Sequence, residues 1–154
     1  MSPNPLTSKR IDAALAILRL VVGTVFIVHG AQKLFIWGLP QTVSGFTQMG
    51  VPLPNVVAPL VAVLELFGGV LLIAGLLTRL VALGLTIDML SALFLVHLPN
   101  GFFVPNGIEF VLTLAAANAA FVLSGAGAFS LDAVLAHRRH GRHTTPPAFA
   151  ARTT

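Results

Sequence analysis

His29 and Lys33 lie four residues apart in VFIVHGAQKLF (residues 25–35), a stretch that is otherwise almost wholly apolar. Side chains at i and i+4 are neighbours on a helix. An imidazole and an ammonium would therefore stand side by side where little water reaches them. Arg19, Glu65, Asp88, His97 and Glu109 are likewise set within or at the ends of apolar runs. Histidine, lysine and carboxylates gathered in a low-dielectric site can hydrogen-bond a carbonyl, hold a proton or deliver one. His29, Lys33, Glu65, Asp88, His97 and Glu109 are the candidates for proton or ligand handling. No phosphate-cradling glycine loop, nucleophile elbow or zinc-ligand spacing occurs, and no metal site is expected. His137, His140 and His143 stand in an arginine-rich tail and read as solvated.

Composition says where such groups must sit. The 154 residues are 56% hydrophobic and 9% charged, with a mean hydropathy of +0.91. Soluble domains carry charge on about a quarter of their residues, so this chain cannot coat a water-facing surface and the lipid bilayer is its partner. The absence of cysteine removes disulfides, thiol relays and Cys-ligated clusters from its own chemistry. Six of the nine Lys and Arg lie in the first ten residues or after residue 137. Basic ends beside apolar runs set membrane topology and do not point to nucleic acid.

A spanning helix needs about 20 mostly apolar residues. Four stretches qualify, roughly 13–35, 55–77, 80–97 and 107–123. Thr78–Arg79 reads as a tight turn between the second and third, and part of 42–49 as a short interfacial helix. Lys9, Arg10, Arg79 and the tail arginines fall on one side of a four-span chain, which puts both termini in the cytoplasm. The first run is long, contains Arg19 and lacks a following A-x-A site, so it is not expected to be a cleaved signal peptide. The expected fold is all-α: a transmembrane four-helix bundle of antiparallel, up-down topology in the cell inner (cytoplasmic) membrane. Residues 1–132 form the membrane domain. Residues 133–154 form a basic, disordered tail, although Ser130 is placed to cap a short helix from Leu131.

Charges in a bilayer face the protein interior, as do the small residues that let helices approach closely. At ~100° per residue, Arg19, Gly23, Phe26, Gly30 and Lys33 form one stripe. Ala58, Ala62, Glu65 and Gly69 form a second, Gly84, Asp88 and Ser91 a third, and Glu109, Thr113, Ala116 and Ala120 a fourth. Each span thus aligns an ionisable group with small residues. The expectation is an ionised interior, with His29 and Lys33 directed at Glu109 or His97; a purely structural Arg19 would pair with Asp88 or Glu65. The plainer alternatives are structural pairing for Arg19, snorkelling to the headgroups for Lys33, a hydrogen-bonded core role for His29, and a helix N-terminal carboxylate for Glu109. Arg19 and Lys33 stand against three carboxylates, leaving one negative charge to be met by a proton, a charged histidine or a ligand. On an ideal wheel His97 lies opposite Asp88, so it reaches inward only if the helix departs from α geometry before Pro99. Asn118 lies opposite Glu109 and is expected to face lipid or a neighbouring subunit.

The pieces R19…F26-I-V-H29-G30-A-Q-K33, E65-L-F-G68-G69…G75-L-L-T78-R79, H97-L-P-N100-G101-F102, G107-I-E109 and G125-A-G127-A-F-S130-L131-D132 succeed one another in this order. In that ordered set the chain resembles the DoxX family of small four-helix membrane proteins. The resemblance implies association with redox membrane complexes, such as thiosulfate:quinone oxidoreductase subunits, quinone or catechol detoxification, and assemblies handling oxidative stress and thiol balance. By it, Arg19, His29, Lys33, Glu65, Arg79, His97 and Glu109 occupy family motif positions, while Asp88 comes from the wheel alone.

Three functions are expected from these features. In the first, the chain is a redox-complex subunit. Arg19, His29, Lys33, His97 and Phe102 form a quinone site, Phe26, Phe35 and Phe103 add apolar walls, no covalent cofactor is held, and a redox protein partner supplies electrons. In the second, the bundle is a non-catalytic scaffold for soluble redox enzymes, with buried charges setting helix register. In the third, it is a small proton or solute conductor, which at this size would need a homo-oligomer.

Overall fold

The structure, a computed structural model, describes residues 5–141. The described residues contain helices and connecting turns and no strand. Helix α1 spans Pro5–Ala31 and continues as a π-helical turn, Gln32–Ile36. Helix α2 is Gly38–Gln48, α3 is Pro54–Ala74 and α4 is Thr78–Ala92. A second π-helical turn, Leu93–His97, and a 3₁₀ turn, Leu98–Asn100, extend α4. Helices α5, Glu109–Ser124, and α6, Leu131–Gly141, complete the fold. Three continuous helical stretches, Leu6–Ile36, Pro54–Ala74 and Thr78–Asn100, are long and apolar enough to cross a membrane, and α5 is a shorter apolar helix.

Local chemistry fixes the helix ends. Pro54 opens α3 at its first position, where the missing N–H costs nothing. Gly75 closes α3 in the left-handed region (φ 66°), where a side chain would be strained. The reversal into α4 is therefore Gly75–Leu77, and Thr78 and Arg79, expected in the turn, already belong to the first turn of α4.

Small residues set how α1 meets α3. A Cβ on Gly23 would stand 2.7 Å from the Gly69 carbonyl oxygen, and one on Gly30 would overlap the Leu66 main chain. Gly23 meets Gly69 and Ile73, whereas Gly30 meets Leu66, so the two helices run in opposite directions. Of their expected stripes, Arg19, Gly23, Phe26 and Gly30 on one helix and Ala58, Ala62, Glu65 and Gly69 on the other are buried, while Lys33 is half-buried. Helix α4 packs most extensively on α5. There the expected face is overturned. Thr113, Ala116 and Ala120 are turned away from the core, while Val111, Leu114, Ala115, Asn118 and Phe121 are buried. Asn118, expected to face outward, is fully buried, with Nδ2 donating to the Leu114 carbonyl at 2.8 Å. A nearly uniform apolar helix offers no period to read, and Glu109, at the first residue, does not report the face of the turns beyond it.

Residues 125–132 tie one end of the molecule together. Arg19 is 2% exposed and donates through Nη2 to the Phe129 carbonyl. The Asp12 carboxylate accepts the Ala128 N–H at 2.9 Å. Asp132 accepts the N–H groups of Leu77 and Thr78 at 2.9 and 3.0 Å, capping α4 from a distant part of the chain, and its own N–H donates to the Gly75 carbonyl. Arg19 thus lies at the end of α3, away from Glu65 and Asp88, so the structural pairing considered for it is not formed. Helix α1 starts well before Ala13, so Arg19 sits lower along the bundle than a span starting there implies. Ser130 Oγ accepts the Ala133 N–H at 3.2 Å as the N-cap of α6. The first part of the expected disordered tail is therefore helix, and its remainder after Gly141 lies outside the described residues.

Burial works to raise the Asp132 carboxyl, but the N–H donors of Thr78 and Leu77 and the charge of Arg19 outweigh it and hold it below its ordinary value. A depressed carboxyl stabilises the fold while ionised. Its contribution is complete above about pH 4 and is lost as pH falls through the lower folded value. Asp132→Ala is expected to cost about 1 kcal/mol, the usual worth of a helix cap. Thermal unfolding in detergent should show a smaller acid-limb loss in the variant than in the parent.

Candidate functional site

The opposite part of α1 carries the ionisable cluster. The Lys33 ammonium and Glu65 Oε2 are 2.5 Å apart, with the two side chains 14% and 5% exposed. This pair bridges α1 and α3 where Gly30 lets their backbones touch. Both residues line a cavity of about 320 Å³ together with His29, Asp88 and His97. Apolar groups supply the rest of the wall, among them Phe26, Met89, Phe110, Val111 and Leu114. The His29 ring lies 5.8 Å from that of Phe110, inclined at 43°. Asp88 Oδ2 is buried and has no hydrogen-bond partner among the described residues.

Both π-helical turns fall at this cavity. The π-helical turn 32–36 carries Lys33, and the turn 93–97 carries His97. A π turn spans one more residue than an α turn, so it shifts the face presented by the residues after it. Counted as an ideal α-helix, His97 opposes Asp88; with the wider turn both line the same cavity. His97 Nδ1 donates to the Asn106 carbonyl at 2.8 Å, which leaves Nε2 as the acceptor of the neutral ring. Thr42 Oγ1, buried in α2, donates toward the carbonyls of Lys33 and Gly38 at 2.9 and 3.0 Å and fixes α2 beside the π turn.

Three candidates lie elsewhere. Arg19 is at the other end of α1. Glu109 Oε1 accepts the Val104 N–H at 2.8 Å, holding the loop before α5, and is not part of the cavity wall. Phe102 is half exposed and packs edge-on against Phe103, ring centroids 5.4 Å apart; Phe35, too, is exposed. Sequence reasoning missed Phe46, Met49 and Val51, which reach the cavity from α2 and the turn after it. The amphipathic pattern of 38–48 was the signal available. Phe110 was missed because its neighbour Glu109 drew the face of α5. Among the described residues no group of three or more His, Asp or Glu is placed to hold a metal ion.

Long apolar helices, close glycine contacts and an ion pair enclosed with further titratable groups define a small all-helical membrane protein with an internal polar site. The chain belongs to the DoxX family, whose model matches residues 14–98, a span that holds all five ionisable residues of the cavity. It is 39% identical to an "Uncharacterized protein" of Haemophilus influenzae, over 77% of this chain and 87% of that relative. It is 31% identical to the "Putative oxidoreductase CatD" of Bacillus subtilis, over 81% and 89%. It is 30% identical to "Inner membrane protein YphA" of Escherichia coli, over 77% and 87%. No solved structure matches the chain.

Proposed function

We propose that this chain is an integral subunit of a redox complex of the inner membrane, and that its cavity receives a quinone head group. In this reading α1, α3, α4 and α5 cross the bilayer as an up-down four-helix bundle with both termini in the cytoplasm. Exposed Lys9, Arg10, Arg79 and Arg138 support that orientation, because basic residues collect on the cytoplasmic side. The oxidoreductase and inner-membrane names of two relatives support the class and the location.

The observation that carries the proposal is the cavity itself. Its volume of about 320 Å³ falls at the lower end of the range of small-molecule sites. Its walls are apolar, and its polar groups come from three helices. Lys33, held by Glu65, supplies a fixed donor to a carbonyl oxygen. Asp88 Oδ2, buried without a partner, accepts a hydrogen bond from a hydroxyl. His97, its tautomer set by Asn106, accepts a proton at Nε2. His29 on Phe110 adds a second imidazole. A bound quinone supplies two-electron, two-proton chemistry. The chain's own residues bind, orient and exchange protons, and a partner redox protein supplies electrons.

Protein purified in mild detergent should retain quinone detectable by mass spectrometry of its lipid extract. Asp88→Asn should unfold near the parental temperature and bind quinone about tenfold more weakly, the effect of one charged hydrogen bond. A second reading is favoured by the Lys33–Glu65 pair, which joins two helices: the chain is a scaffold and the charges set register. Absence of quinone, with Glu65→Gln and Asp88→Asn proteins that fold and still assemble with their partner, would establish that reading instead.

A further inference from the structure

The end of the molecule remote from the cavity presents a second surface that the proposed function does not use. Leu131, Val134 and Leu135 of α6 are between 44% and 46% exposed, and Phe129 just before the helix is 59% exposed. Positions 131, 134, 135 and 138 have the spacing i, i+3, i+4, i+7, so the apolar residues and Arg138 share one face. Asp132 lies off this face and binds the α3–α4 turn, so α6 is fixed by another side and its apolar face stays nearly half exposed. Its place is fixed too, because the Asp132 N–H donates to Gly75 at the end of α3. Helix α6 therefore lies level with the ends of the apolar helices.

Charge selects the occupant of this surface. Lys9, Arg10 and Arg79 are exposed at the same end, and Arg139 comes directly after Arg138 in the sequence. The two acidic residues there, Asp12 and Asp132, are engaged by backbone N–H groups. An amphipathic helix with basic residues beside its apolar face, set where spanning helices end, lies in the interface of a bilayer. We infer that α6 is an interfacial helix that inserts Leu131, Val134 and Leu135 at the acyl boundary and binds anionic lipid headgroups through Arg138, beside Lys9, Arg10 and Arg79.

The cysteine-free chain allows a clean test on the full-length protein. Val134→Cys, carrying a fluorescent label, is reconstituted in nanodiscs of phosphatidylcholine alone or mixed with phosphatidylglycerol. Quenching by lipid bearing a nitroxide near the headgroup reports contact. Quenching should be stronger in the phosphatidylglycerol discs and should weaken as salt is raised. Arg138→Gln should lower the ratio of docked to free helix about fivefold, the effect of removing one charge near the surface. The salt titration of the labelled protein with Arg138 intact gives the answer even if the substitution disturbs folding. Quenching that is equal in the two lipids and indifferent to salt overturns the inference. So does a label shielded only when a soluble redox protein is added, which would make α6 a protein-docking surface.

Discussion

Lys33→Met is expected to destabilise the protein by about 3–5 kcal/mol, the cost of leaving a buried charge without its partner. The Glu65 side chain is 5% exposed and accepts the Lys33 ammonium, so removing Lys33 strands a buried carboxylate. The double substitution Lys33→Met, Glu65→Leu should recover most of the loss, because both desolvation costs disappear together. Thermal unfolding of the two proteins in the same detergent checks this. If the double variant is no more stable than the single one, the ion pair is not what Glu65 requires. A recovered fold would also be the better reagent for the cavity, since quinone binding should stay lost while stability returns.

Gly30→Ala is expected to cost about 1–3 kcal/mol, the typical effect of overpacking a fitted contact, and to lie at or above the top of that range. The added methyl meets the Leu66 main chain, which cannot rotate out of the way as a side chain would. Helices α1 and α3 must separate or shift, and the Lys33–Glu65 pair beyond the contact must lengthen. Gly45→Ala is the matching control, since nothing lies within 4 Å of a Cβ there. The measurement is again thermal unfolding, with quinone retention as a second readout; equal stability of the two proteins would mean that the α1–α3 contact does not constrain the bundle.

These residues also mark how far the chain alone could be read. The α1 and α3 stripes were legible because glycine, alanine and charge coincide at helical spacing: Gly23, Gly30 and Gly69 are small for a reason visible in one dimension. The family was legible from ordered motifs. That His29 and Lys33 point inward could be inferred from the same stripes, but Glu65 as the partner of Lys33, in place of Glu109 or His97, could not. A wheel gives direction on a helix and says nothing of which neighbouring helix stands there. Asn118 escapes a wheel because α5 is apolar on all sides and its single amide bonds its own helix. Arg19 escapes it because the strap that receives it lies 110 residues away in the chain. The inward placement of His97 rests on the helix changing its winding, and that change is a property of the backbone with no residue type to announce it.

The two π-helical turns set the winding at which Lys33 and His97 enter the cavity. Helix contact in α1 is made by Gly23 and Gly30, before the first turn begins; Lys33 lies within it. In α4 the buried Val81, Ala82, Leu85 and Met89 precede the second, and His97 ends it. A one-residue insertion or deletion at either turn would swivel Lys33 or His97 while leaving His29, Asp88 and the glycine contacts of α1 where they are. Descendants of one ancestral framework could in this way acquire different reactivities by small changes in winding, with no new architecture to invent.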